Sequence, residues 1–287
     1  MDDSRIRAAY SKVREACHAD LKSTQAGSAI AELVSVSLRF LADQCQAIDL
    51  VSRVPGKGFF SFEKDNVVAR PANKQFFIGD PVVVADLWAR SLADRISAGD
   101  FAKLSYTAAL APCLAMELFE RQNKKGPATY FECLVGHLFA RAVGVNPTRR
   151  ARLPVAGRAV LMTMDYLIDM GDQRRKIHLP VKMSTRERVV QAWAHQRLLD
   201  AAYGDGIYRG IMVVFSETKL DSRSHEVVEI CVPDQWLAYQ SLLAQMDRIY
   251  YFDIPARYQE LTERFPDVIV IKQFGEFFRE RDLVLQA

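Results

Sequence analysis

Two apolar runs, residues 161–168 and 177–183, flank a polar turn at Gly171-Asp172-Gln173-Arg174. The first run holds one carboxylate, Asp165, and the second ends on one lysine, Lys182. Two short apolar runs about such a turn predict an antiparallel hairpin. With the turn centred between Asp172 and Gln173, Asp165 falls opposite Pro180. Side chains two residues apart on a strand share a face, so Asp165, Pro180 and Lys182 share one face near one end of the hairpin. Asp169 has the same parity but lies nearer the turn, which makes Asp165 the better partner for Lys182.

The surrounding pattern limits the fold further. After residue 126 strands alternate with helices. Strands are expected near 151–156, 159–168, 177–183, 208–216, 226–232, 248–253 and 268–271, and helices near 128–143, 185–202, 234–246 and 255–264. That order predicts an α/β domain with a central mixed sheet flanked by helices. Residues 1–125 read as a helical domain. Helices are expected over 5–22, 29–48, 81–97 and 105–121, the third opened by Asp80 as N-cap and Pro81 at the first helical position. Residues 54–80 are punctuated by Gly and Pro and read as irregular, with room for a short hairpin. The break at Gln122-Asn123-Lys124-Lys125-Gly126-Pro127 marks the expected boundary, giving domains 1–125 and 126–287.

The chain has 287 residues, 49% hydrophobic and 25% charged, with a formal net charge of +3. That balance excludes a wholly basic coat for nucleic acid, so any such face must be local. The basic residues do cluster: Arg149, Arg150, Arg152 and Arg158, then Arg174, Arg175 and Lys176, then Lys182, Arg186 and Arg188. The five cysteines are scattered, without zinc-ligand spacing. The N-terminal residues lack a signal-peptide pattern, and no apolar run approaches the roughly 20 residues that span a bilayer. The expectation is a reduced, cytoplasmic protein without membrane association.

A carboxylate beside a lysine suits phosphodiester hydrolysis. The carboxylate can hold Mg2+ against a scissile phosphate, while the lysine stabilises charge or orients the attacking water. A tolerated strand Asp and a strand-end Lys on a solvated face give the same local pattern, so the following segment matters. Ser184-Thr185-Arg186-Glu187 fits a capping box, with Ser184 as N-cap. Arg186 and Arg188 then stand in a first helical turn, where the macrodipole disfavours cations unless an anion is bound. Arginine pairs with guanine O6 and N7, and Glu accepts from cytosine N4. Arg186, Glu187 and Arg188 could therefore read adjacent G·C pairs. Arg174 and Arg175 at the turn suit backbone phosphates or simple solvation. Residues 250–255, Tyr-Tyr-Phe-Asp-Ile-Pro, read as a core strand ending in a turn.

Lys182-x-x-x-Arg186-Glu187-Arg188 behind a strand-borne Asp165 resembles the PD-(D/E)xK type II restriction endonucleases. It is most similar to the branch that recognises CCGG or CC…GG cores. The continuation Val189–Arg197 resembles the same enzymes, and the likeness spans about residues 128–272. It implies that Asp165 binds Mg2+, Lys182 assists the nucleophilic water, and Arg186, Glu187 and Arg188 contact bases. Glu132 matches a helix-borne acid that supports such sites, so Asp165 and Glu132 are the candidate metal ligands. The chain departs from the family pattern at the second acid. Pro180 stands two residues before the lysine. His195 stands thirteen residues after it, where this branch carries the acid, with Gln191 one turn earlier. Either Glu132 supplies that acid, or a neutral ligand or water does. His195 is a candidate general base or supporting group, although a lone helix histidine is more often structural.

The resulting expectation is a Mg2+-dependent, sequence-specific double-strand DNA endonuclease that cuts a palindrome as a homodimer. The helical N-terminal part would then supply dimer contacts or embrace DNA. Two alternatives share these residues: a repair or recombination nuclease of the same fold, and a DNA-binding regulator without catalysis.

Overall fold

The computed structural model describes residues 2–93, 95–120, 123, 125–171, 175–185 and 189–286. The chain forms two compact units, one of 1–137 with 218–230, the other of 138–217 with 231–287. The division falls inside helix α5, after the break at 122–127, and the first unit takes back a later hairpin that the sequence had placed in the second domain.

In the first unit, α1 (Asp2–Ala19) and α2 (Thr24–Gln44) precede β1 (Gln46–Ser52), β2 (Phe59–Lys64), β3 (Val67–Val68) and β4 (Ala72–Asn73). Ser23 caps α2 by accepting from the Ala26 N–H at 3.1 Å. Ile30, Leu33, Val34, Leu38 and Leu41 repeat at helical spacing and are all buried. Asp80 accepts from the Val82 N–H at 2.7 Å and, with Pro81, opens α3 (Pro81–Leu92) as expected. The next helix, α4 (Ala98–Phe119), starts earlier than expected because Ser97 caps it on the Asp100 N–H.

The stretch read as irregular, 54–80, carries three strands, β2, β3 and β4, of a sheet ordered β10-β11-β1-β2-β3 with β4 also on β2. Its other members are β1, β10 (Thr218–Leu220) and β11 (Glu226–Glu229), the last parallel to β1. So the first unit is not helical throughout. Helix α2 ends at Gln44, and residues 46–52 leave it to pair with β2, Ile48 opposite Ser61 and Leu50 opposite Phe59.

The second unit begins within α5 (Gly126–Val143) and has a seven-stranded mixed sheet, ordered β13-β12-β9-β7-β6-β5 with β8 also on β9. β5 (Thr148–Val155), β6 (Arg158–Ile168) and β7 (Lys176–Leu179) are antiparallel neighbours. β7, β9 (Tyr208–Val214), β12 (Arg248–Tyr251) and β13 (Ile271–Gln273) run parallel. Parallel neighbours need crossovers, which α6 (Val190–Tyr203) supplies between β7 and β9, and α8 (Ala256–Arg264) between β12 and β13. This is the mixed α/β sheet with flanking helices expected from the alternation.

One core cluster packs α6, α7 (Pro233–Leu242) and α8 on the parallel strands through Trp193, Trp236, Met212, Ile249, Tyr251 and Tyr258. Trp193 and Trp236 meet edge to face at 5.2 Å. Burying each such ring is worth roughly 2–3 kcal/mol. Tyr250, Tyr251, Phe252 and Asp253 are buried, as a core strand requires.

Gly210 on β9 has a packing reason. A Cβ there would stand 2.6 Å from Met246 Sδ and 2.8 Å from Gln196 Oε1. Gln196 cannot swing aside, because its amide holds His178, Asp200 and the Tyr208 carbonyl. Gly210→Ala is expected to lower stability by about 1–3 kcal/mol. Denaturant titration at neutral pH checks this, with an unchanged midpoint as the contrary result.

Candidate active site

The hairpin has the expected register: Tyr166 lies opposite Leu179, Leu167 opposite His178, and Ile168 opposite Ile177. Continued one step, it brings Asp165 to Pro180. β7 ends at Leu179, so its pairing with β6 stops there. The next residues, Val181–Lys182 (β8), continue on β9 in the register β7 already has, opposite Val213 and Val214, with Pro180, which has no N–H to give, interrupting that ladder. On the β6 side Asp165 takes the place of a ladder partner. Its Oδ2 accepts from the Val181 N–H at 2.9 Å and from Lys182 Nζ at 2.8 Å. Both side chains are about one-fifth exposed, so the pair is desolvated yet reachable. Among the described residues Oδ1 takes no hydrogen bond.

A bulge on β6 re-aims this residue. Thr148 pairs with Leu167 but Arg150 pairs with Thr163, so 164–166 stand against Arg149 alone. The bulge disrupts the ladder locally, and Arg149 takes up part of the loss. Its Nε donates to the Asp165 carbonyl at 3.0 Å, and its guanidinium lies 5.1 Å from the Tyr166 ring centre.

Behind the pair, α6 presents His195 and Gln196. Gln196 Nε2 donates to Asp200 Oδ1 at 2.9 Å and to the Tyr208 carbonyl at 2.8 Å. Its Oε1 therefore faces His178 Nδ1, at 3.0 Å, as an acceptor. His178 must carry its proton on Nδ1, which leaves Nε2 as a bare lone pair. That atom is fully buried and has no hydrogen-bond partner among the described residues. Burial pushes the His178 imidazole down to about 4. The His195 ring lies 6.2 Å from that of His178. Burial also lowers the His195 pKa; Asp165 opposes that shift and Lys182 adds to it. His195 thus sits within the field of the Asp165–Lys182 pair.

Asp169 is exposed and bonded to Lys176, whose ammonium holds its carboxyl below the usual range. It belongs to the strand end, away from Lys182. Glu132 is half-buried on α5, in the first unit, whereas Asp165 belongs to the second. Arg175 is exposed at the foot of β7, and Gln191 is exposed on α6. Arg174, Arg186, Glu187 and Arg188 lie outside the described residues. Helix α6 runs from Val190 with Val189 as N-cap and no side-chain cap, so Ser184 is not its cap. The Thr185 N–H is held by Glu217.

Arg149, His178, Gln196 and Glu217 were missed at the sequence level. His178 alone had a usable signal, since it shares the parity of Pro180 and Lys182. The others depend on the bulge or on chain segments distant in sequence.

No three His, Cys, Asp or Glu side chains among the described residues converge to hold a metal ion. Mg2+ does not need such a cage. It is held by one or two carboxylates with water and substrate phosphate oxygens. Asp165, with one oxygen open, fits a cation shared with a phosphate and does not fit a closed protein site.

The second unit's mixed sheet, with an acid on β6 and a lysine at β8, has the restriction-endonuclease fold. The whole chain is similar to the crystal structure of the Type IIP restriction endonuclease Kpn2I, with a TM-score of 0.81 at 21% identity, over 98% of this chain and 97% of that one. A second structure, the restriction endonuclease PspGI–substrate DNA complex, matches 71% of this chain and 91% of its own at a TM-score of 0.45 and 14% identity. No protein-family model matches the sequence, and no curated protein matches it. No helix among the described residues is long and apolar enough to cross a membrane.

The His178 environment has a measurable consequence. Folded, the ring stays neutral down to about pH 4, whereas an unfolded histidine protonates near 6.5. Between those values the unfolded chain binds the extra proton, so stability is lost as pH falls. His178 alone accounts for roughly 3 kcal/mol over that window. Urea unfolding at pH 7 and pH 4.5, with NMR titration of the assigned ring, checks this. A His178 resonance titrating near 6.5 would contradict it.

Proposed function

We propose that the chain is a Mg2+-dependent, sequence-specific double-strand DNA endonuclease of the type II restriction kind. It acts as a homodimer on a palindrome with a CCGG-type core, with residues 1–125 supplying dimer contacts or embracing DNA and 126–287 holding the catalytic site. The observation that carries this reading is the Asp165–Lys182 contact at 2.8 Å, with Asp165 Oδ1 left open, on a restriction-endonuclease fold. Bound Mg2+ would supply charge to the scissile phosphate and lower the pKa of an attacking water.

Each residue has a distinct task. Asp165 would hold the cation, while its Oδ2 keeps Lys182 in place. Lys182, a compact point charge, orients the attacking water and stabilises charge on the phosphate. His195 takes the place where an acid stands in related sequences and acts as a base or supporting group beside Asp165. Either Glu132 is the second acid, or a neutral ligand or water takes its place. Arg186, Glu187 and Arg188 read G·C pairs, and Arg174 and Arg175 touch backbone phosphates. A base-reading Arg-Glu-Arg favours this reading over a structure-selective repair nuclease or a DNA-binding regulator.

Plasmid DNA incubated with the protein and Mg2+ is expected to give discrete fragments whose sequenced ends share one palindrome. Smears or uncut DNA would contradict the proposal. Lys182→Ala is expected to slow cleavage roughly 100-fold or more while gel-shift affinity for the same DNA, without Mg2+, stays within a few-fold. Unchanged cleavage would remove Lys182 from the site.

A further inference from the structure

Beyond the reaction pair, the second unit holds a carboxylate that catalysis does not use. Glu217 follows β9 and is 1% exposed. It accepts from the Thr185 N–H at 3.0 Å, from the Thr185 hydroxyl, and from the Tyr251 hydroxyl at 2.9 Å. Thr185 and Tyr251 are buried with it. Burial and the Glu217 charge push the Tyr251 phenol well above its ordinary value, so it stays a donor. Burying a carboxylate is costly unless it is hydrogen-bonded, and an apolar side chain would pack there without that cost. What the carboxylate adds is position: two of its bonds hold one residue by backbone and side chain together.

Position matters because of where Thr185 stands, three residues after Lys182 and directly before Arg186-Glu187-Arg188. The strand edge holds the rest of that spacer. Val213 N–H donates to the Pro180 carbonyl at 2.8 Å, Phe215 N–H to Lys182 at 2.9 Å, and Ser216 N–H to Met183 at 3.2 Å. The last bonds in this series are those from Thr185 to Glu217. The chain between the lysine and the Arg-Glu-Arg segment is therefore clamped along its length.

We infer that Glu217 is a specificity-positioning residue. It fixes the start of the base-reading segment relative to Lys182, so that cleavage follows only when the bases and the scissile phosphate are in register. This rests on the proposed base reading by Arg186, Glu187 and Arg188. A misplacement of about 1 Å is enough to lower the rate of a positioned reaction substantially. A loosened clamp would let near-matching sites react.

The test uses the full-length protein and two short duplexes. One carries the site found by end sequencing, the other the same site with one G·C pair changed. The readout is the ratio of kcat/KM between them, with thermal melting as the check on folding. Glu217→Gln and Thr185→Val are each expected to lower that ratio about tenfold or more. Thr185→Ser, which keeps both donors, is expected to hold it. If Glu217→Gln does not melt cooperatively, Thr185→Val decides alone. A ratio unchanged in the folded variants, or rates that fall together on both duplexes, overturns the role of Glu217 while leaving the nuclease reading intact. A wild-type protein that yields no discrete fragments contradicts the base-reading proposal itself, and this role with it.

Discussion

One carboxylate oxygen, Asp165 Oδ2, stands where the strand ladder breaks, and the catalytic end of the second unit is organised around it. Pairing with β6 ends at Leu179, Pro180 cannot donate, and the chain runs on along β9 in the register it already had. Oδ2 receives the next N–H, that of Val181, and the Lys182 ammonium. The same contact that repairs the ladder places an acid and a base within 3 Å of each other. A hydrogen bond to a charged group is worth roughly 1.5–3 kcal/mol. The pair is thus a strand repair in which, among the described residues, the second carboxylate oxygen takes no hydrogen bond.

The surroundings keep that oxygen and the lysine in place. The β6 bulge turns Asp165, and Arg149 satisfies its carbonyl while resting on Tyr166. Beneath α6, Gln196 ties His178, Asp200 and the β9 backbone together, and Gly210 leaves room for it. Every polar group of Gln196 is used, which sets the height and rotation of α6 and so the place of His195. The His178 and His195 rings lie 6.2 Å apart, and burial favours the neutral form of each. Lowering pH removes that neutrality and stability together, since both follow from burial of the same ring.

Much of this was legible in the sequence, and the limits follow from chain distance. The hairpin register could be read because one turn sets it locally and two apolar runs fix its faces. Asp80-Pro81 marked the start of α3 through capping chemistry confined to three residues. The sheet of the first unit could not be read so. Its strand β1 finds β11 far along the chain, and residues 46–52 carry no strong alternation of their own. The bulge at Asp165 was hidden for a related reason: strand periodicity assumes one residue against one, and Met164–Tyr166 break that count. The start of α6 was misplaced because Ser184 looks like a cap in sequence, whereas the helix begins at Val190 with no side-chain cap to mark it. Asp165 and Lys182, by contrast, were legible as a pair because parity on neighbouring strands is enough to bring them together.

The central claim is that Asp165 is the residue through which this chain holds a cation against a phosphate. Asp165→Asn keeps the size of the side chain and one acceptor for the Val181 N–H, but removes the charge. Single-turnover cleavage of the cognate duplex, followed over a Mg2+ titration, measures what that charge does. The account predicts cleavage lower by roughly 100-fold or more at every Mg2+ concentration, with metal-free DNA binding and melting close to wild type. A variant that cuts the same site at the wild-type rate with the wild-type Mg2+ midpoint would contradict it.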